Sequence, residues 1–288
     1  MGKVRLTGAE IIWECLIREG VNVVFGYPGG AILPTYDALG KYSDKVHHVL
    51  TRHEQGATHM ADGYARSSGK VGVAMATSGP GAANMVTGLA TAMMDSIPIV
   101  CITGQVPRPA IGSDAFQEMD ISGAVIPVTK HSYLVMEIEN LARTIKEAFA
   151  IARSGRPGPV LVDIPKDLQA EEFDFIYPEE PILLPGANLV TSDIDSNSLE
   201  QAASLIAESK RPVILAGHGI LLSGASSEVI ELSEKGNIPL SWTLLGSGAV
   251  PASHHLNMGM MGMHGEFAAN NAIQKADLLI ACGMRFDD

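Results

Sequence analysis

Glu54 is the first candidate for chemistry in this sequence. It lies in His53-Glu-Gln-Gly-Ala57, after the strand-like run 46–51 and at the start of a helix-like run that ends near Gly69. An ionisable side chain at the carboxyl end of a strand stands where open α/β sheets bind ligands. A carboxylate that only complements the positive end of a helix dipole is the competing interpretation, and spacing alone favours it.

Glycine and polar residues also stand where the other predicted strands of this half end. Gly29 and Gly30 follow the run 21–25, residues 77–81 follow 71–76, and Gln105 follows 97–102. If these strands are parallel, their carboxyl ends meet at one edge of the sheet, where such folds bind ligands. This convergence favours a ligand site over a simple helix start for Glu54.

The remaining motifs are too incomplete to identify a chemistry by themselves. His53-Glu54 lacks the second histidine of a zinc-protease motif, because residue 57 is Ala and His59 lies off the shared helix face. Gly79-Pro-Gly81 with Asn84 nearly forms the dinucleotide-binding GxGxxG, but the third glycine is missing. We predict no metal site in this chain. One carboxylate among glycines suits a bound cofactor that supplies the chemistry.

Charge and composition exclude several classes of protein. The sequence has 20 Lys and Arg against 32 Asp and Glu, a net charge of -12, so we expect neither nucleic acid nor a membrane surface as partner. No apolar run reaches the length of a membrane span. The fold pattern starts at Leu6, so we expect no signal peptide. Cys15, Cys101 and Cys282 are far apart, which predicts buried thiols in a reducing, cytoplasmic compartment.

Strands alternate with helices along the sequence, which predicts parallel sheets with helices on both faces. We predict two doubly wound α/β domains, residues 1–167 and 195–288, joined by a solvated linker over 168–194. The second domain ends just after a strand-like run, 277–282, without a closing helix. We therefore expect this sequence to be a fragment of a longer protein.

Taken together and in this order, the strand ends resemble those of thiamine-diphosphate enzymes. Within that group they resemble the catalytic subunits of the acetohydroxyacid synthase (acetolactate synthase) family. The resembling segments are 25–31, 52–57, 61–66, 76–81, 103–106, 114–118, 155–159, 164–167, 260–265 and 283–288. So many motifs in one order are specific to the family, and only the linker resembles it weakly.

The resemblance implies that residues 1–167 are a pyrimidine-binding domain and that Glu54 activates the cofactor. Its carboxyl would bond the N1′ atom of the aminopyrimidine and favour the imino form, which removes the thiazolium C2 proton. Gly29, Gly30 and Gln105 would line the same cleft. Phe116 and Lys166 match positions near the substrate channel.

The second domain resembles the family's FAD-binding central domain, in truncated form. The matching flavin positions are Arg156, Gly217, Gly219, Thr243, Leu244, His264, Gly265 and Arg285. The family's third domain binds Mg²⁺ and the diphosphate through Gly-Asp-Gly, which this sequence lacks. Because the family's cleft lies between two subunits, we expect a homodimer or tetramer, with room for a small regulatory subunit, and an inactive chain when isolated.

The implied activity is that of an acetolactate synthase. It decarboxylates pyruvate on thiamine diphosphate and joins the hydroxyethyl unit to pyruvate or 2-ketobutyrate, toward valine, leucine and isoleucine. A pyruvate oxidase or a 2-keto-acid decarboxylase is the alternative within the same chemistry, although segments 114–118 and 263–265 favour the synthase. A non-catalytic nucleotide-binding α/β protein is the alternative from another class.

Overall fold

The computed structural model describes residues 4–182 and 195–286. By their contacts the residues form two compact units that divide between residues 189 and 190, and each is described by itself. The domain boundaries expected from the sequence, at residues 167 and 195, stay a prediction.

The first unit contains most of the regular structure. Its strands are β1 Val4–Thr7, β2 Val23–Gly26, β3 His47–Leu50, β4 Gly72–Ala76, β5 Ile99–Gln105, β6 His131–Leu134, β7 Val160–Pro165 and β8 Glu172–Phe175. Its helices are α1 Gly8–Arg18, α2 Leu33–Leu39, α3 Glu54–Ser68, α4 Pro80–Ala83, α5 Val86–Asp95, α6 Ile121–Ala124, α7 Ile138–Arg153 and α8 Lys166–Ala170.

Six of these strands form a parallel sheet in the order β3-β2-β4-β5-β7-β6, while β1 and β8 pair separately and antiparallel. Alternate residues of β4 enter different cores. Val73 and Met75 pack in the core that includes α1 and α7, and Ala74 and Ala76 pack in the core that includes α3 and α5. Helices therefore cover both faces, and the predicted parallel α/β class is confirmed.

Local sequence determines where α1 and α3 begin and end. Thr7 Oγ1 accepts the Glu10 N–H while the Glu10 carboxylate accepts the Thr7 N–H at 2.8 Å, which forms a capping box. His53 caps α3 by accepting the Gln55 N–H, and α3 ends at Gly69, whose φ of 69° is left-handed. Glu54 is thereby the first residue of α3, just after the short connection from β3.

The second unit is a smaller sheet of the same kind. It contains β9 Pro212–Ala216, β10 Leu240–Trp242, β11 Asn257–Met260 and β12 Leu278–Cys282, parallel and in the order β11-β10-β9-β12. Its helices are α9 Ser196–Glu208, α10 His218–Ser223, α11 Ser226–Gly236 and α12 Phe267–Lys275. Nowhere in the described parts of the chain is a helix both long and apolar enough to cross a membrane.

The stretch predicted as a solvated linker is partly folded onto the first unit. Helix α8 buries Leu168, and β8 pairs with β1 and buries Phe175. Glu172 had suggested solvation, but it is the outward member of a strand that alternates polar and apolar residues. The prediction of a linker is therefore wrong for 168–175, and its part over 183–194 lies outside the described residues.

Other differences concern short elements. Helices α4 and α5 are two separate helices, with Asn84 and Met85 between them. Strands β1 and β6 and helix α10 were not predicted, because four to six residues with partial exposure leave little periodicity to detect.

Ser241 on β10 provides a stability test. Its side chain is fully buried, and its hydroxyl has no hydrogen-bond partner in the described parts of the chain. Ser233 is equally buried but donates to the Ile238 carbonyl at 2.7 Å. We expect Ser241→Ala to stabilise the second unit by about 1 kcal/mol, since it removes an unpaired hydroxyl, and Ser233→Ala to destabilise it by about 1 kcal/mol. Urea unfolding measures both, and equal losses would contradict this account.

Candidate active site

Glu54 is a buried carboxylate with one oxygen bonded and one open. Its side chain lies on the first turn of α3, and the residue is only 8% exposed. The Asn84 amide donates to Oε2 at 2.9 Å. No donor among residues 4–182 and 195–286 bonds Oε1. The carboxyl is thus held in one orientation by Asn84 and keeps an oxygen available for a ligand.

Glycine turns surround this open oxygen. A Cβ at Gly81 would stand 3.2 Å from Glu54 Oε1 and 2.7 Å from Thr77 Cγ2. A Cβ at Gly29 would stand 2.5 Å from the same Thr77 methyl group. The ends of β2 and β4 therefore meet Glu54 around Thr77, with backbone where side chains would block access. Gly30 is exposed beside Gly29, and no atom lies within 4 Å of the Cβ it lacks.

The turn that contains Gly29 is held from both sides at Ala31. Thr77 Oγ1 accepts the Ala31 N–H at 3.1 Å, and the Gln169 amide donates to the Ala31 carbonyl at 2.9 Å. Gln169 is fully buried, donates also to the Ile164 carbonyl at 2.9 Å and accepts from the Thr35 hydroxyl at 2.9 Å. Helix α8 thus holds the Gly29 turn through Gln169, a residue within the predicted linker.

Gln169→Leu is expected to lower the free energy of unfolding of the first unit by about 3 kcal/mol. The substitution keeps the size of the side chain but leaves the carbonyls of Ala31 and Ile164 and the Thr35 hydroxyl without their partner. Gln201→Leu, on the exposed surface of α9, makes the same chemical change and should alter stability by less than about 0.5 kcal/mol. Equal urea midpoints for the two variants would contradict the role assigned to Gln169.

Phe116 lies in a segment that packs against the glycine turn at Glu54. A Cβ at Gly79 would collide with the backbone of Gln117, so residues 106–120 approach this turn closely. Phe116 itself is 88% exposed, and the Glu118 carboxylate accepts the N–H groups of Gly112 and Ala115 within the segment. The structure therefore brings the Phe116 segment to the Gly79–Gly81 turn.

Gln105 differs from the open cleft residue that the sequence analysis expected. It is buried, and its Nε2 donates to Asp163 and to the Met119 carbonyl, each at 2.8 Å, so both N–H groups are in use. Its Oε1 accepts the Val106 N–H at 2.9 Å. A contact between this amide and a cofactor stays a prediction.

Arg156 and Lys166, the other two residues predicted in this unit, occupy different settings. The Arg156 guanidinium donates to Ser96 Oγ at 2.8 Å and to the Met93 and Met94 carbonyls at the end of α5. A cation at a helix C-terminus stabilises that helix, and a flavin contact of Arg156 stays a prediction. Lys166 is half-buried at the start of α8, the helix that carries Gln169.

In the second unit, Gly217 and Gly219 follow β9 and pack against Gly283, which follows β12. A Cβ at Gly219 would stand 2.7 Å from the Gly283 Cα, and one at Gly217 would collide with the Gly283 carbonyl. Close packing of the two strand ends thus accounts for both glycines. Thr243 Oγ1 accepts the Gly246 N–H at 3.1 Å, and Leu244 between them is 72% exposed.

The turn after β11 carries His264 and Gly265. The Asn270 amide holds it by accepting the Gly262 N–H at 2.9 Å and donating to the Gly262 carbonyl at 2.8 Å. His264 is exposed, and a Cβ at Gly265 would collide with the Met260 carbonyl. Arg285, after β12, is also exposed. The predicted flavin residues of this unit thus follow parallel strands and lie at one edge of the sheet.

Three residues that support the site, Thr77, Asn84 and Gln169, have little or no signal of that role in the sequence. Thr77 and Asn84 lie within or beside a glycine-rich strand end, which identifies a neighbourhood but no role. Gln169 has no sequence signal. In the described parts of the chain, no group of three His, Cys, Asp or Glu side chains could hold a metal ion.

Comparison with known proteins identifies the family. Residues 6–124 match "Thiamine pyrophosphate enzyme, N-terminal TPP binding domain", and residues 199–288 match "Thiamine pyrophosphate enzyme, central domain". The chain is 50% identical, over 99% of its length, to an acetolactate synthase from Arthrospira platensis. It is 52% identical, over 98% of its length, to a probable acetolactate synthase large subunit from Methanocaldococcus jannaschii. It is 53% identical, over 99% of its length, to an acetolactate synthase from Mycobacterium bovis.

These matches cover 50%, 48% and 46% of the three relatives, so the chain spans about half the length of the curated relatives it matches. The N-terminal match includes Glu54, Thr77, Gly81 and Asn84, and the central match includes the four strands of the second unit. The chain therefore belongs to the thiamine pyrophosphate enzyme family, with its N-terminal and central domains, and is similar to acetolactate synthases over almost all of its length.

Proposed function

We propose that the protein containing this chain is an acetolactate synthase. It would use thiamine diphosphate to decarboxylate pyruvate and to join the two-carbon unit to pyruvate or 2-ketobutyrate, on the route to branched-chain amino acids. The relatives named acetolactate synthase support the reaction. The observation that carries the proposal is Glu54, whose buried carboxyl has one oxygen bonded to Asn84 and the other open among glycines.

The residues around Glu54 fit the pyrimidine ring of thiamine diphosphate. A flat ring needs backbone walls rather than side chains, and Gly29 and Gly81 provide them beside Thr77. A ring nitrogen needs one carboxyl oxygen without another donor, and Glu54 Oε1 meets that need. When bound, the cofactor supplies the stabilisation of negative charge that decarboxylation requires.

In this proposal, Glu54 holds and moves a proton at the ring nitrogen. Asn84 keeps the carboxyl in the orientation that aims Oε1 at the ligand, because its amide occupies Oε2. Thr77 and Gln169 hold the Gly29 turn in place, so that the ring meets a rigid wall. A positioned acid–base group contributes about 10²–10⁴ in rate.

Phe116 and Lys166 are proposed to meet the 2-keto acid. Phe116 exposes its ring beside the glycine turn and would contact the methyl or ethyl group of the substrate. Lys166 carries a cation at the start of α8 and would attract the substrate carboxylate. Gly30 and Gln105 remain proposed members of the cofactor cleft.

We propose FAD as a second cofactor, bound in the second unit by Gly217, Gly219, Thr243, Leu244, His264, Gly265 and Arg285. Exposed apolar side chains support this, since Leu244 and Met263, which is 94% exposed, are available to cover a flat ring system. Arg156 is the proposed flavin residue of the first unit. Mg²⁺ would be bound with the diphosphate, through the Gly-Asp-Gly motif that this sequence lacks.

The proposed partners are a second copy of the catalytic subunit, in a homodimer or tetramer, and a small regulatory subunit. The second is supported by relatives whose names contain "large subunit". We propose a cytoplasmic location, supported by the free thiols of Cys15 and Cys101, both of which are buried. Burial raises the pKa of both thiols far above the usual range, which keeps them protonated and unreactive.

Product analysis tests the proposed function. The full-length protein, supplied with pyruvate, thiamine diphosphate, Mg²⁺ and FAD, should form 2-acetolactate. Acetaldehyde as the main product would indicate a 2-keto-acid decarboxylase, and acetyl phosphate would indicate a pyruvate oxidase. Any of these results without acetolactate would overturn the proposal.

The 288-residue chain by itself is expected to form no measurable acetolactate. The residues that would hold Mg²⁺ and the diphosphate are proposed to lie outside this chain, and without them the cofactor has only its pyrimidine site. The same product assay, run beside the full-length protein as the positive control, measures this. Acetolactate formed by the isolated chain would contradict the expectation.

A further inference from the structure

Asp163 is a buried carboxylate that the proposed chemistry does not use. It lies on β7, opposite Thr103 of β5 in the sheet register, and is 1% exposed. Its Oδ1 accepts the Thr103 hydroxyl at 2.6 Å, and its Oδ2 accepts Gln105 Nε2 at 2.8 Å. No Lys, Arg or His of the described residues forms an ion pair with it.

Burial of this carboxyl does not benefit stability. Desolvation raises the pKa of Asp163 to about 7, although the donors Thr103 and Gln105 oppose the rise. A buried ionisable group without a cation costs stability. This cost favours a role for Asp163 beyond holding the sheet together.

That function follows from the hydrogen bonds of Gln105. Asp163 Oδ2 accepts one of these bonds, so the NH₂ group of Gln105, and not its oxygen, faces Asp163. With the amide in that orientation, its oxygen accepts the Val106 N–H and its second N–H donates to the Met119 carbonyl. A rotated amide would place oxygen against the Asp163 carboxyl and set two donors against each other at Val106. It would also withdraw the Gln105 donor from the Met119 carbonyl, which would then accept only the Ile121 N–H.

Met119 closes the segment that carries Phe116. The segment leaves the sheet at Gln105, and at Met119 it comes back to the Gln105 side chain, so the amide joins its two ends. Between these ends, Gln117 packs on Gly79, at the turn that borders Glu54. The orientation of one amide therefore affects where Phe116 stands relative to this turn.

We propose that Asp163 is a positioning residue, which selects the orientation of the Gln105 amide and thereby anchors residues 106–120 beside the Glu54 site. This inference rests on the proposed function in one respect only, the substrate contact proposed for Phe116. The anchoring is a property of this chain and can be measured without turnover.

Amide hydrogen exchange of the whole chain tests the anchoring. Peptides covering 110–120 are compared with peptides of α7, which report on the stability of the same unit. Asp163→Leu should speed exchange in 110–120 about tenfold relative to α7, because it removes the acceptor that orients Gln105. Asp163→Asn should restore slow exchange, because its Oδ1 can accept from Gln105 while its amide donates to the Thr103 oxygen.

A matched pair of variants separates positioning from stability. Thr103→Val and Gln105→Leu each remove one donor to Asp163, but only Gln105 reaches Met119. We expect faster exchange of 110–120 in Gln105→Leu and native exchange in Thr103→Val. Equal effects of the pair, or native exchange of 110–120 in Asp163→Leu, would overturn the proposal. If Asp163→Leu does not fold, the comparison of Thr103→Val with Gln105→Leu still tests the anchoring of residues 106–120. The acetolactate assay is independent of this result, so the two proposals can fail separately.

Discussion

Glu54→Gln in the full-length protein is expected to lower the turnover of pyruvate by about 10²–10⁴ while the fold stays intact. The glutamine oxygen can still accept the Asn84 amide, so the side chain keeps its orientation. An NH₂ group replaces the open oxygen, and it can neither accept a proton nor pass one on at neutral pH. Initial rates of acetolactate formation measure the effect, and thermal unfolding measures the fold.

Glu139→Gln is the matched control for this prediction. Glu139 also lies in the first turn of a helix, α7, but it is exposed and belongs to no part of the Glu54 cluster. If Glu54 only complements a helix dipole, both variants should lose a few tenths of a kcal/mol of stability and no activity. Equal rates for the two variants would therefore favour the helix-dipole interpretation that spacing alone supports.

The second large effect is a loss of stability as the pH rises through neutrality. Burial raises the pKa of Asp163 from its ordinary value of 3.8 to about 7 in the folded chain. Between these values the folded state holds one more proton than the unfolded state, so the free energy of unfolding falls as the pH rises. The contribution of Asp163 should decrease by about 3 kcal/mol from pH 4 to pH 7, and by a further few tenths of a kcal/mol above pH 7.

Asp163→Asn isolates this contribution, because asparagine does not titrate. The nearby Asp120 also raises the pKa of Asp163, and it is present in both proteins. Carboxyls such as Asp167, whose pKa is lowered, are present in both proteins as well. Urea unfolding of the native chain and the variant at pH 5 and pH 8 gives the difference directly. The native chain should lose several kcal/mol more than Asp163→Asn between these pH values. Parallel losses would show that Asp163 does not titrate in this range.

Much of the fold follows from local sequence patterns. The capping box at Thr7 and Glu10 and the left-handed Gly69 determine where α1 begins and α3 ends, and the end near Gly69 is predicted from the sequence. Buried runs such as 72–76 and 160–165 identify the central strands. The convergence of strand ends at Glu54 also follows, because parallel strands place their carboxyl ends at one edge.

The side chains that hold the site could not be predicted in this way. Thr77 and Ala31 are 46 residues apart, Asn84 and Glu54 are 30 apart, and Gln169 and Ala31 are 138 apart. Hydrogen bonds over such separations leave no periodicity in the sequence. Buried polar residues therefore look like surface residues until their partners are known.

The prediction of a solvated linker is wrong for residues 168–175 because their charged residues hide a short strand. The glutamates of this stretch are typical of a solvated segment, but the alternation over 172–175 places charge outward and phenylalanine inward. A four-residue strand is too short for this pattern to stand out against a charged background. Gln169 lies just before this strand, and nothing in the sequence indicates that it supports the Gly29 turn.

The central claim is that the open oxygen of Glu54 serves the pyrimidine ring of thiamine diphosphate. Deuterium exchange at C2 of the cofactor bound to the full-length protein tests it most directly, because proton removal there depends on the ring nitrogen that Glu54 would contact. Acid quenching and proton NMR measure the exchange rate in the native protein and in Glu54→Gln at equal cofactor occupancy. We predict exchange at least about a hundredfold slower in Glu54→Gln. Equal exchange rates in the two proteins would contradict the role of Glu54.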